Sequence, residues 1–266
     1  MILKLIDRLY QQLPENNRFE RIWILARTDF AQRFYGSSLG LLWAFLNPLA
    51  RLMVYYFVFS YLIFKNQEPI FILYLYLGLI PWMFFSEGTK RGMRLLHTKR
   101  YLLENIQLNK LDIYYSHLIT LGIALGFNLF SFFIFSLFFP VDYTLHMLWL
   151  PVILFILGLT VFAVSLLLST AYIFFLDLDH VWDIVLLLGF WTIPIIWDQK
   201  FIFEHYTFML YTSPLTGTVI NLRQILLYGE SPHMFLLFFD LVYALILFGI
   251  SLAIFKRFSK KAAEIR

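Results

Sequence analysis

Long apolar runs alternate with short polar breaks along almost the whole chain. Six runs stand out: Leu39–Phe64, Ile70–Ser86, Ile113–Phe139, Leu148–Leu176, Val181–Trp197 and Met234–Lys256, of 26, 17, 27, 29, 17 and 23 residues. A bilayer core is crossed by about 20 apolar residues, within a range of about 17 to 25. The pattern predicts six transmembrane helices and an all-α integral membrane fold. The whole chain, residues 1–266, reads as one transmembrane domain.

The segments between the runs carry their own periodicity. Within residues 1–38, Phe19, Ile22, Trp23, Ala26 and Phe30 recur at helical spacing, with Arg18, Arg21 and Arg27 among them. This is an amphipathic, basic, Trp-bearing helix suited to the headgroup layer, with Asn16 or Asn17 as its cap. Residues 198–233 are too apolar for a plain loop. Pro214 divides them into two pieces of about a dozen residues, too short to cross and suited to re-entrant helices that act as a gate. The last run, 234–256, precedes a short tail, 257–266. The polar N-terminus predicts no cleaved signal peptide.

Charge sets the orientation. Six spans put both ends on one side. That side holds 17 Lys and Arg, against Lys65, Lys200 and Arg223 on the other; Arg51 lies inside the first span. The positive-inside bias places both termini in the cytosol. The same distribution is a membrane-edge pattern and excludes a nucleic-acid groove. With no cysteine, disulfides, thiolate metal sites and a Cys nucleophile are excluded.

No phosphate-cradling Gly-x-x-x-x-Gly-Lys-[Ser/Thr] occurs; Gly88-Thr89-Lys90 is only a fragment of it. Motifs for Ser nucleophiles and zinc proteases are missing too, so no catalytic residue is assigned. Asp177, Asp179 and His180 form an acidic loop with weak metal potential, and no His pair has ligand spacing. Gly122 and Gly126 make a Gly-x-x-x-Gly pair, for which packing within the chain is the default.

An Arg inside a span costs about 2.5–3.5 kcal/mol on insertion scales and needs a partner or water. For Arg51 two readings stand: an ion pair with Asp240 of the last run, or a channel-lining cation. The loop Glu87–Asp112 mixes six basic residues with Leu95, Leu96, Leu102, Leu103 and Ile106. A short helix offering these leucines to a groove on another protein would use them. Arg94, Leu95, Leu102, Leu103 and Glu104 are the candidate docking residues. Aromatics make up 20% of the chain. Sugars stack their CH faces on such rings, and Tyr55, Phe59, Phe190 and Trp197 share faces at helical spacing. They are candidate lining residues with Arg51.

Three segments together resemble one family. Asp29 to Pro48, with Ser38-Leu39-Gly40, Trp43 and Pro48, resembles the approach to the first span in type-2 ABC exporter permeases of the polysaccharide class, which export O-antigen, capsule and teichoic acid. Phe175 to Trp197 resembles that family's acidic loop and its Pro-containing helix end, here Thr192-Ile193-Pro194-Ile195-Ile196. Ser213-Pro214-Leu215-Thr216-Gly217 with Arg223 resembles its Asn-Pro-Leu motif and following Arg. The departures are Leu176 and Leu178 beside the loop acids, Ser213 for Asn, and no Phe-Pro near the end of the second loop.

The resemblance implies a permease of the bacterial inner membrane, itself not an enzyme. Two copies would form the pore, and two copies of a separate cytosolic subunit would carry ATP and Mg. No cofactor would sit on this chain. Lys90–Lys110 would couple to the ATPase, and residues 201–228 with Pro214 and Arg223 would gate the outer mouth. Membrane lipids would surround the dimer, and the cargo would be a polysaccharide on a lipid diphosphate. Three rivals stand beside this: a permease for a small amphiphile or drug, an ATPase-independent membrane glycosyltransferase or flippase, and a scaffold without transport.

Overall fold

A computed structural model describes residues 17–34, 36–64, 68–105 and 109–258. The described residues are almost entirely helical, with no strand among them. Asn16, the other cap candidate, and most of the C-terminal tail lie outside them.

α1, Arg18–Phe34, starts at a reciprocal cap. The Asn17 side chain accepts from the Glu20 N–H at 3.3 Å and donates to the Glu20 carboxylate at 3.3 Å. Such a box satisfies donors that the first turn leaves open. The buried stripe is Ile22, Leu25 and Ala26, while Phe19 and Trp23 face outward. The predicted apolar face is thus split between protein and surroundings.

Among the described residues, five helices are long and apolar enough to cross a membrane: Gly40–Ile63, Phe71–Met93, Lys110–Ser136, Leu145–Tyr172 and Met234–Phe258. The first comprises a 3-10 turn, then α2, Trp43–Tyr56, then a π-helical stretch, Phe57–Ile63. Pro48 sits inside α2 and deprives the Ala44 carbonyl of its i+4 donor. α3, Phe71–Met93, is the central helix, buried over 78% of its apolar window, against 11% for the first span. α4, Leu95–Thr98, and α5, Arg100–Asn105, form the second loop. α6, Lys110–Ser136, is capped by the Asn109 side chain, which accepts from the Leu111 N–H at 3.0 Å. α7, Leu150–Tyr172, packs against α3 and against the last helix.

The predicted fifth span differs. α8, Leu178–Thr192, has only 15 residues. Pro194 explains the early stop. The residue before a proline is pushed from helical to extended backbone, and Ile193 has φ −82° and ψ 145°. Residues 193–197 continue without a regular helix. The outer segment also differs, holding three short helices rather than two: α9, Gln199–His205, α10, Met209–Thr212, and α11, Thr216–Leu226. α12, Met234–Phe258, closes the bundle.

One packing expectation fails. Gly122 and Gly126 have nothing within 4 Å of an added Cβ, so this pair does not bring helices together within the chain. Close approach occurs elsewhere. A Cβ on Gly92 would meet the Ser165 side chain at 2.2 Å, and one on Gly88 would meet Val161 at 2.6 Å, so these two glycines let α3 and α7 touch.

Candidate functional site

Tyr55 and Phe59 are one turn apart on α2 and its π-helical extension, and α8 brings Phe190 and Trp191 against them. Tyr55 lies 5.3 Å from Phe190, Phe59 lies 6.4 Å from Trp191, and Tyr55 lies 6.3 Å from Phe59, between ring centroids. The row continues through Phe64 and Phe71 to Tyr74, at 6.1, 6.1 and 5.9 Å. Ring pairs at such spacing contribute about 0.5–1.5 kcal/mol each beyond burial. Three of the four predicted lining aromatics therefore meet. Phe59 and Phe190 are buried, whereas Trp191 is 47% exposed. Sequence reasoning missed Trp191, although it directly follows Phe190. Trp197 stands apart, its Nε1 donating to the Trp191 carbonyl at 3.1 Å.

A cavity opens at each end of this row. One, of about 440 Å³, is lined by Phe64, Phe71, Tyr74, Trp197, Asp198 and Tyr228. The other, of about 520 Å³, is lined by Trp43, Asn47, Arg51, Arg33, Lys90 and Arg91, with Glu87, Asp183 and Asn128. Arg33 and Arg91 share Glu87 at 2.9 and 3.0 Å, and Lys90 pairs with Asp183 at 2.6 Å. Burial pushes the Arg33 guanidinium down, and Glu87 opposes that. Arg51 projects into the cavity and has no ion pair among the described residues. Asp240 is not its partner. That acid is buried against α11, where Thr218 donates to its Oδ2 at 3.2 Å.

Arg223 is fully buried and serves as an interior clamp. Its guanidinium lies 3.3 Å from the Tyr74 ring centroid. It donates to the Tyr74 carbonyl at 3.1 and 3.2 Å, to Pro194 at 2.6 Å and to Ile195 at 2.7 Å. The carbonyls freed where α8 breaks are thereby satisfied, as the apolar surroundings demand. The Tyr74 hydroxyl donates to the Trp197 carbonyl at 2.7 Å and accepts from the Gln199 N–H at 3.1 Å. Pro214 is half-buried at the bend between α10 and α11.

In the second loop the leucines turn inward. Leu95 and Leu96 pack with Ile113, Tyr114, Phe162, Leu166 and Phe255, while Leu102 packs on Leu25 of α1 with Leu103 beside it. Leu95, Leu96 and Leu102 are buried within the chain and Leu103 is half-buried, whereas His97, Arg100 and Tyr101 are exposed. The Glu104 side chain lies outside the described residues. Arg94 pairs with Asp179 of the acidic loop, its Nε donating to Oδ1 at 3.0 Å and Nη2 to Oδ2. Lys99 pairs with Asp29 at 2.5 Å, and Arg18 with Asp112 at 2.7 Å, so ion pairs tie α1 to the loop and to α6. Among the described residues no group of three His, Asp or Glu is placed to hold a metal ion.

These features define a multi-pass, all-helical membrane protein in which a row of rings joins a basic cavity to an aromatic one. No protein-family model matches the chain. Two Klebsiella pneumoniae proteins, each named O-antigen export system permease protein RfbA, are 25% identical to it over 250 and 248 residues, covering 93% of this chain and 95% of each relative. A Myxococcus xanthus protein of the same name is 24% identical over 231 residues, covering 84% of each chain. These relatives bear out the resemblance to type-2 ABC exporter permeases of the polysaccharide class.

Proposed function

We propose that this chain is the membrane subunit of an ATP-driven exporter that moves a lipid-linked polysaccharide, O-antigen or capsule, across the bacterial inner membrane. The carrying observation is the end-to-end similarity to three O-antigen export permeases. In this reading α8 with residues 193–197 makes the fifth of six crossings, and both termini face the cytosol. α9 to α11 form the gate at the outer mouth. A second copy of the chain completes the pore, and two copies of a separate subunit hydrolyse ATP.

The ring row supports a sugar cargo. Contacts between sugar CH faces and aromatic rings are weak and non-directional, which lets a chain slide. Exposed His97, Arg100 and Tyr101 supply the docking surface for the ATPase in place of the inward leucines. Export by the complete system tests the reading. Deleting the gene is expected to abolish surface polymer and leave carrier-linked polymer on the cytosolic leaflet, and the wild-type chain restores it. Normal surface polymer in the deletion strain, or a tagged chain that purifies from active membranes without an ATP-binding subunit, overturns it.

A further inference from the structure

The cavity lined by Arg51 is built for an anion. Arg33, Arg51, Lys90 and Arg91 face it against only Glu87 and Asp183. Both acids are already engaged: Glu87 is shared by Arg33 and Arg91, and Asp183 is held by Lys90. Two positive charges remain in excess, and Arg51 has no counter-charge among the described residues. An Arg within a span is tolerated when a partner or a watery cavity meets it. Asn128, also in the lining, has a buried Oδ1 with no hydrogen-bond partner. An unpaired cation, which suits an anion, and an unsatisfied acceptor, which suits a hydroxyl, thus face one space of about 520 Å³. Arg is the side chain best suited to bidentate phosphate contacts.

We propose that this cavity binds a phosphate-bearing lipid headgroup, and that the headgroup is the diphosphate of the cargo's carrier; this rests on the exporter reading above. Arg51 and Arg91 hold the diphosphate, since Glu87 can neutralise only one of its two arginines. The Asn128 Oδ1 accepts from a hydroxyl of the first sugar, and Trp43, at the same mouth, offers a ring for that sugar to stack on. The lipid tail leaves along the exposed side of the first span, where Leu39, Leu42, Leu46 and Met53 face outward. The headgroup then lies at the start of the ring row, one helical turn from Tyr55.

The test uses the purified full-length chain in phosphatidylcholine nanodiscs and measures binding of undecaprenyl diphosphate, phosphatidylglycerol and undecaprenol. The diphosphate is expected to bind at least about tenfold more tightly than either other lipid, and Arg51→Gln or Arg91→Gln to weaken it by about tenfold each, as loss of one charge-assisted contact does. Lys256→Gln, remote from the cavity, serves as the control and leaves binding unchanged. Equal binding by wild type and Arg51→Gln overturns the site. Equal affinity for phosphatidylglycerol, lost in the same variants, overturns the carrier as the ligand and makes this a phospholipid site. Intact diphosphate binding in a chain that exports no polymer upholds the site while the exporter reading fails.

Discussion

Arg94 and Asp179 join the loop after α3 to the start of α8 through two parallel hydrogen bonds. Lys90, one turn earlier, pairs with Asp183, one turn later, so the two pairs form antiparallel rungs between the same helices. These rungs would carry a displacement of α4 to α8, which holds Phe190 and Trp191. Arg94→Asp and Asp179→Arg are each expected to lower export severalfold, and the double swap to restore most of it. Transport assays with ATPase rates read this out. Unchanged export in both single variants removes the rungs from the coupling path.

The same pair has a pH signature. The Arg94 guanidinium holds the Asp179 carboxyl below the usual carboxylate range. A depressed acid stabilises the fold above its unfolded value, near about 3.9, and loses that contribution as pH falls through the folded value. Because the Arg94 side chain is 43% exposed, the contribution is at most about 1 kcal/mol. The melting temperature of wild type in detergent should fall more steeply below about pH 4 than that of Asp179→Asn.

Arg223→Ala leaves the buried carbonyls of Pro194 and Ile195 without this donor, while the Tyr74 carbonyl keeps its helical one. At about 1–3 kcal/mol for each orphaned group, the loss is on the order of 3 kcal/mol or more. Arg223→Lys recovers only part, since an ammonium lacks the planar fork. Gly78→Ala damages the same place by another route. Its Cβ would stand 2.8 Å from the Arg223 Nη2 and 3.0 Å from the Ile195 backbone, an overpacking of about 1–3 kcal/mol. Thermal unfolding in detergent compares the three, and wild-type stability in Gly78→Ala would contradict the clamp.

Leu102→Asp places a charge at a 5% exposed position against Leu25, so misfolding or low yield is expected. Tyr101→Ala, at a 69% exposed position, should leave stability within about 0.5 kcal/mol while lowering ATPase-coupled export. Size-exclusion profiles and transport assays separate these effects. Full export by Tyr101→Ala removes that face from docking.

Gly122→Ala meets no atom within 4 Å and replaces an interior helical glycine. A gain of up to about 1 kcal/mol is expected. A clear loss of stability in the isolated chain would show that this face is packed after all.

Much of the architecture was legible from periodicity alone. The five long spans follow from runs that any bilayer-length window finds, and α1 from its 3.6-residue spacing. The fifth run misled because hydropathy counts apolar residues but not backbone donors. Val181–Trp197 is apolar throughout, yet Pro194 ends its helix at Thr192. The second loop misled for a related reason. Leucines among basic residues mark a buried face, but composition does not say whose core buries it. Tyr55 and Phe59 meet because ring contacts follow a helix face, whereas the contact of Phe190 with Tyr55 crosses between helices and leaves no trace in the spacing. Arg51's separation from Asp240 was not, since pairing across distant helices leaves no local trace.

The break in α8 binds three distant parts of the chain into one inherited character. A proline at 194 exposes carbonyls, a guanidinium at 223 answers them, and a bare backbone at 78 gives that guanidinium room. A change at any one of the three alone is expected to cost stability, so drift at these positions is expected to move in step. Relatives that straighten this helix should therefore lose the arginine and regain a side chain on α3 together.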